Sequence, residues 1–281
     1  MLLETLDEQT LSLVHLALEE DIGSGDVTAE LIPEDDIWQA DVICRDTAVI
    51  CGRAWFDAVF RLIDETISIN WQATDADKIN SGDVICSLQG PARALLTGER
   101  TALNFLQTLS GTATLANQYA EIVKDLKTRI LDTRKTLPGL RLAQKYAVLC
   151  GGCHNHRAGL YDAFLIKENH IAAAGSIKQA IDTAKSLDTN LLIEIEVENL
   201  AEMLEALDAG AKRLLLDNFS IEKLQEAVTL IDGRAELEAS GGITLNNLRK
   251  VAETGVDYIS IGALTKDLHA IDLSMSFITT V

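Results

Sequence analysis

From Thr133 to Lys167 this chain places six cations, Arg134, Lys135, Arg141, Lys145, Arg157 and Lys167, against a single carboxylate, Asp162. Elsewhere acid prevails: 43 acidic side chains face 24 basic ones, a formal charge of -19 over 281 residues. The cationic stretch is therefore a local exception. A positive pocket inside a negative envelope repels nucleic acid, yet it can hold a small anion carrying several charges. The chemistry this points to is a compact phosphate or carboxylate ligand.

The elements that must position these groups follow a regular rhythm. Short apolar strands begin near residues 129, 163, 191, 213, 235 and 258, with amphipathic helices between most of them. Such spacing is that of βα units on a parallel sheet. No GxGxxG follows the first strand, which argues against a dinucleotide fold and for a barrel-like arrangement. In parallel barrels the chemistry gathers at the C-terminal strand ends. There the sequence places Thr133, Arg134 and Lys135, then Lys167, then Glu194 with Glu196, then Asp217. Two turns follow, Glu238-Ala239-Ser240-Gly241-Gly242 and Ile259-Ser260-Ile261-Gly262-Ala263.

Glu194 and Glu196 stand two apart and share a strand face. Parallel strands are expected to be apolar on both faces, so these acids should meet cations, water or a metal. Glu196 with Asp217 could hold Mg2+, a hard ion that takes oxygen ligands; alternatively they neutralise Lys167 and Arg134 structurally. The Ser240-Gly241-Gly242 turn is read as opening a helix capped by Thr244. Backbone N–H groups freed there and at the following turn suit phosphate.

The first part of the chain reads as mixed α and β: a helix over 8–20, strands over 40–43, 48–51, 66–71 and 84–88, a tight turn at 77–83, and two helices over 93–109 and 112–126. No run of about 18 apolar residues suggests a membrane span, and the acidic amphipathic start is unlike a signal peptide. A cytoplasmic protein is expected. Five cysteines in a chain of this length fit reduced thiols. Cys150-Gly-Gly-Cys153-His154 matches a haem-attachment pattern, and with His156 it could pass for zinc ligation. Without an export signal or a second cysteine pair it is expected to be a glycine-rich loop, with His154 at the surface and His156 turned to an anion. Arg141 and Lys145, four apart on a helix, are expected to be solvated. Arg100 alone could simply pair with Glu99, and His15, His170 and His269 have no site-like spacing.

Two blocks are highly specific: Asp132-Thr-Arg-Lys-Thr-Leu-Pro-Gly-Leu-Arg141, and Asn155-His-Arg157 with Leu160-Tyr-Asp-Ala-Phe-Leu-Ile-Lys-Glu-Asn-His170. Together with Glu99-Arg-Thr-Ala-Leu-Asn104, Glu194-Ile-Glu196, Leu216-Asp-Asn218, Ser240-Gly-Gly242 and Gly262-Ala-Leu264, they make the chain resemble quinolinate phosphoribosyltransferases over almost its whole length. The resemblance implies an α/β protein: an N-terminal α/β sandwich over 1–110 and an open, seven-stranded α/β barrel over 111–281, with the C-terminal tail packing back on the sandwich. It implies a Mg2+-assisted enzyme that joins quinolinate to phosphoribosyl pyrophosphate, releasing CO2 and pyrophosphate. It further implies a homodimer in which Arg100 reaches the neighbouring subunit's quinolinate. Arg134, His156 and Arg157 would line the dicarboxylate pocket, and Lys135 and Lys167 would lie between carboxylate and pyrophosphate. Glu196 and Asp217 would hold ribose hydroxyls and metal, and residues 240–242 and 260–263 the 5-phosphate. The family often has a third glycine where this chain has Cys153, which could tighten that loop or make it oxidation-sensitive. Two other readings share the phosphate turns: a sugar-phosphate isomerase or synthase, and a non-catalytic paralogue linked to molybdate uptake.

Overall fold

The computed structural model describes residues 6–187 and 190–278. The chain falls into two units, one running up to Leu115 and resuming at Leu268, the other spanning Ala116–Asp267.

In the first unit Asp7 caps helix α1 (Glu8–Ile22) by accepting from Thr10 N, as a short acidic N-cap should. Strand β1 (Ile37–Cys44) follows, then β2 (Ala48–Val49), helix α2 (Arg53–Ile63), β3 (Ser68–Trp71), β4 (Lys78–Ile79) and β5 (Val84–Pro91). Alternation decides the inner face of β1, where Ala40, Val42 and Cys44 are buried. The antiparallel sheet runs C-terminal strand (Leu273–Ile278), β1, β5, β3. Helix α2, absent from the sequence reading, buries Trp55, Phe56 and Phe60, and Phe56 stacks edge-on with Trp71 at 5.2 Å. Residues 78–79, expected within a turn, pair instead with β2.

Helix α3 (Ala92–Val123) is one 32-residue helix rather than the two expected. Ser110 and Gly111 do not break it because their small size serves packing. Ser110 Oγ accepts from Cys51 N and donates to Cys51 O, and a Cβ on Gly111 would lie 2.2 Å from His269 O. The loss of helix propensity at glycine, about 1 kcal/mol, buys that close approach.

The second unit continues with β6 (Arg129–Leu131), α4 (Arg141–Cys150), β7 (Phe164–Ile166), α5 (Glu168–Ala174), α6 (Ile177–Ser186), β8 (Ile193–Val197), α7 (Leu200–Asp208), β9 (Arg213–Asp217), α8 (Ile221–Ile231), β10 (Glu236–Ser240), α9 (Leu248–Ala252), β11 (Tyr258–Ser260) and α10 (Ala263–Lys266). Its six strands run parallel in the order β6-β11-β10-β9-β8-β7. A seventh position is a one-residue parallel bridge, His154 beside Leu131. One face of these strands is wholly apolar: Ile130, Ile195, Leu214, Leu216, Leu237 and Ile259 are each at most 2 % exposed. Helices α6 and α7 pack against β7, β8 and β9. The other face carries Glu194, Arg213, Glu238 and Tyr258 at alternate positions. On that second face Glu194 and Glu196 meet cations, His156 and Arg213 for the first and Lys167 for the second, as acids on a parallel strand must.

Candidate functional site

Each parallel strand delivers a functional group at its C-terminal end. Thr133, Arg134 and Lys135 follow β6, Lys167 follows β7, Glu196 and Asp217 close β8 and β9, and Ser240 and Ser260 end β10 and β11. Lys167 Nζ forms an ion pair with Glu196 Oε2. Asp217 lies in register with Ser240 and accepts from Asn218 Nδ2 at 2.7 Å. Thr133 Oγ1 accepts from Lys135 N at 3.1 Å. Gly262 comes so near that a Cβ there would sit 3.1 Å from Lys135 Cδ and 3.7 Å from Thr133 Oγ1.

Gly241 and Gly242 both have positive φ, 98° and 63°, and a Cβ on Gly241 would lie 2.2 Å from Asn218 Oδ1. This turn therefore excludes side chains and leaves backbone exposed. The helix expected to open here starts only at Leu248, with Asn247 at its N-cap. Thr244 is not the cap. Its N–H donates to Asn247 Oδ1 at 2.7 Å while Asn247 Nδ2 donates to Gly242 O at 3.0 Å, so the side chain of Asn247 fastens the glycine turn.

A cavity of about 460 Å³ beside β7 brings Arg134, Arg157 and Lys167 together against Leu160, Ala163 and Leu165. Arg157 Nη1 donates to Ala163 O at 3.1 Å, and Arg134 Nε is buried without a hydrogen-bond partner. Burial first, and then the neighbouring Arg134 charge, lowers the pKa of Arg157. Like charges crowded in this way are relieved by a bridging anion. His170 lines the same cavity, and its Nδ1 accepts from Lys167 N at 3.0 Å.

Beneath the strand ends lies a buried polar layer. Arg213 Nη2 donates to Glu238 Oε2 at 2.8 Å, and its Nε lies 3.3 Å from Glu194 Oε1. Its guanidinium stacks 4.0 Å from the Tyr258 ring centroid. His156 Nε2 lies 2.9 Å from Glu194 Oε2 and 3.5 Å from Glu238 Oε1. Glu194 meets these cations by distance but without aligned hydrogen bonds, so charge holds it. Burial alone would lower the pKa of His156; Glu194 and Glu238 outweigh burial and raise it to about 9. Burial likewise opposes ionisation of Glu238, but His156 and Arg213 hold it down to about 2. Burial and the adjacent Glu238 charge raise Glu194. Arg157 N stands 2.7 Å from His156 Nδ1, a contact only an unprotonated Nδ1 can accept. The Arg157 amide at Nδ1 and the two carboxylates at Nε2 thus hold the ring from both sides. His156, Glu194 and Glu238 have ligand atoms within 4.8 Å of one another, a spacing a metal could use. Arg213 already contacts both carboxylates, and two cations balance two anions without an ion.

Two family models match successive stretches of the chain. That for the quinolinate phosphoribosyl transferase N-terminal domain matches residues 26–110, and that for the C-terminal domain matches 112–276. The chain belongs to the quinolinate phosphoribosyltransferase family. It is 42% identical over 257 residues to a probable nicotinate-nucleotide pyrophosphorylase [carboxylating] of Bacillus subtilis, covering 91% of this chain and 89% of that protein. Against quinolinate phosphoribosyltransferase [decarboxylating] 1 of Nicotiana glauca it is 40% identical, covering 95% and 82%. The solved nicotinate-nucleotide pyrophosphorylase of Francisella tularensis superposes with a TM-score of 0.94 at 45% identity, covering 99% of both chains.

Glu238, expected at the substrate, is fully buried and its carboxylate is committed to Arg213 and His156. The anions that His156 faces are the protein's own carboxylates, Glu194 and Glu238. Ala239, Ile259 and Ile261 are at most 2 % exposed, so only their backbone can reach a ligand. Lys145 is not solvated: it is 3 % exposed and ion-paired with fully buried Asp132. Cys153 is buried, donates to Ala116 O at 3.2 Å, and burial followed by the Asp132 charge pushes its pKa up to about 12. It is a packing thiol with no thiolate to oxidise. Arg100 lies on α3 in the first unit, with its side chain 58% exposed and 4.0 Å from Glu99. The sequence reading passed over Arg213, although Arg213, Leu215 and Asp217 alternate on one strand face. His170, judged to have no site-like spacing, lines the cavity after all, and its clue was its place three residues after Lys167.

Proposed function

We propose that this chain transfers the phosphoribosyl group of phosphoribosyl pyrophosphate to quinolinate with decarboxylation, giving nicotinate mononucleotide, pyrophosphate and CO2 on the route to NAD. One observation carries this reading: Arg134, Arg157 and Lys167 converge on one cavity with an apolar wall. A flat ring bearing two adjacent carboxylates needs that combination, because guanidinium forks pair with carboxylates in two parallel hydrogen bonds while the wall accepts the ring. An isomerase acting on a sugar phosphate would need no such wall of arginines. The family membership disfavours that alternative and the non-catalytic one.

Binding sets the geometry for a dissociative displacement. The bond from ribose C1 to pyrophosphate lengthens, and the pyridine nitrogen captures the oxocarbenium-like carbon. Loss of the 2-carboxylate then leaves an electron pair on the ring carbon, stabilised by the adjacent pyridinium and quenched by a proton. No covalent nucleophile takes part, and placement supplies most of the rate. Lys167 exchanges Glu196 for a substrate carboxylate, and Lys135 follows the charge building on pyrophosphate. Glu196 and Asp217, carboxylates at the ends of adjacent strands, form an all-oxygen donor set suited to Mg2+. When bound there, the ion neutralises charge on the leaving group. Backbone amides of 240–242 and 260–263 receive the 5-phosphate. The working form is a homodimer in which Arg100 serves the neighbouring subunit's quinolinate. Five cysteines with no disulfide assigned among them suit a cytoplasmic setting; nucleic acid and membrane are not partners. Among the described residues no helix is long and apolar enough to cross a membrane.

Mixing the purified protein with quinolinate, phosphoribosyl pyrophosphate and Mg2+ should release CO2 and nicotinate mononucleotide in equal amounts. Absence of turnover under those conditions removes the proposal.

A further inference from the structure

The two arginines of the cavity stand on segments with no helix or strand of their own, Arg134 within 133–136 and Arg157 within 155–158. Free segments would scatter their guanidinium groups, whereas two-pronged recognition of a carboxylate tolerates errors of only about 0.5 Å. In the cavity wall Arg157 Nη1 is tied to Ala163 O at 3.1 Å, but the two segments that carry the arginines need a tie of their own. Behind the cavity, one fully buried carboxylate supplies it. Asp132 Oδ1 accepts from His156 N at 2.9 Å and pairs with Lys145 Nζ. Lys145 Nζ also donates to His156 O at 2.9 Å. The Asn155 amide, oriented to donate, reaches Asp132 Oδ2 at 2.8 Å and Lys145 O at 3.0 Å. One turn earlier on α4, Arg141 donates to Arg134 O at 3.3 Å, Ala158 O at 3.2 Å and Thr136 Oγ1 at 3.1 Å. Arg141 and Lys145 share one helix face, so a single rigid element holds both segments at once.

We propose that Asp132 and Lys145, assisted by Arg141, are positioning residues that set Arg134 and Arg157 at the spacing quinolinate requires, without touching it themselves. The clamp rests on the quinolinate reading of the cavity, and it makes a selective demand. It grips the segments bearing the dicarboxylate-binding arginines and leaves the glycine turns assigned to the 5-phosphate alone. Loss of the clamp should therefore weaken quinolinate and spare phosphoribosyl pyrophosphate.

The test uses the full chain as Lys145→Met, with KM measured for each substrate and amide hydrogen exchange followed by segment. The expected result is a quinolinate KM raised about tenfold or more, a change of about 1.4 kcal/mol, with the phosphoribosyl pyrophosphate KM within about twofold. Exchange should quicken in 133–136 and 155–158 while β8, β9 and β10 keep their protection. A merely structural role would raise both KM values together or speed exchange throughout the unit, and either result overturns the clamp, as does an unchanged quinolinate KM. Should Lys145→Met fail to fold, Arg141→Met, which removes only the half-buried outer tie, reads the same quantities. Wild-type protein without turnover would defeat the functional reading instead, and hydrogen exchange alone would then decide the clamp.

Discussion

Arg134, Arg157 and Lys167 line one cavity, and the repulsion between its two arginines is what a bound dicarboxylate relieves. Arg134→Ala or Lys167→Ala should lower kcat/KM for nicotinate mononucleotide formation roughly 100-fold or more, with the oligomeric state by light scattering the same as in wild type; near wild-type turnover in either variant would show the pocket to be misassigned. His156 acts through protons. Its pKa rises from 6.5 to about 9 in the folded chain, so between those values the native state binds a proton that the unfolded state lacks. Its contribution to stability is complete below pH 6.5 and disappears as pH climbs through about 9, with a slope of up to ~1.4 kcal/mol per pH unit. Urea unfolding at several pH values should show this decline in wild type and a flatter profile in His156→Gln. A decline of equal steepness in the variant would assign it to other groups.

At the scale of elements, the glycine turn after β10 depends on shape. Gly241→Ala combines a φ of 98° with a Cβ 2.2 Å from Asn218 Oδ1, whereas Gly242 has φ 63° and nothing within 4 Å. The first substitution should cost about 1–3 kcal/mol and raise the KM for phosphoribosyl pyrophosphate more than that for quinolinate. Gly242→Ala should be the milder of the two in both thermal unfolding and kinetics; the reverse order would mean that the turn does not serve phosphate. Such turns are readable from sequence because glycine pairs are local signals. The continuity of α3 is not, since the reason Gly111 sits inside a helix is a backbone 158 positions further along, at His269. Helix α2 escaped notice because its apolar run has the composition of a buried strand as much as of a helix.

For the molecule as a whole, a net charge of -19 concentrates attraction for anions into the few places where cations cluster. If Arg100 serves the partner subunit, Arg100→Ala and Arg134→Ala, each inactive alone, should complement when unfolded together and refolded. Random pairing leaves about a quarter of the sites intact, and activity near that level is the expected result. Mixtures that stay inactive despite exchanging subunits would place Arg100 in its own chain's site or in none.

Read alone, the sequence determined the βα rhythm, the polar groups at the strand ends, and the local excess of cations, since each is written in residue type and short-range spacing. Tertiary structure decided the partners. Whether His156 meets a substrate or Glu194 and Glu238, whether Lys145 is solvated or buried on Asp132, and whether Arg213 is a strand start or the centre of a charge layer depend on segments 13 to 82 residues apart lying side by side. Charge pairing acts across space at a few ångströms, and separation along the chain says little about it until the sheet has formed.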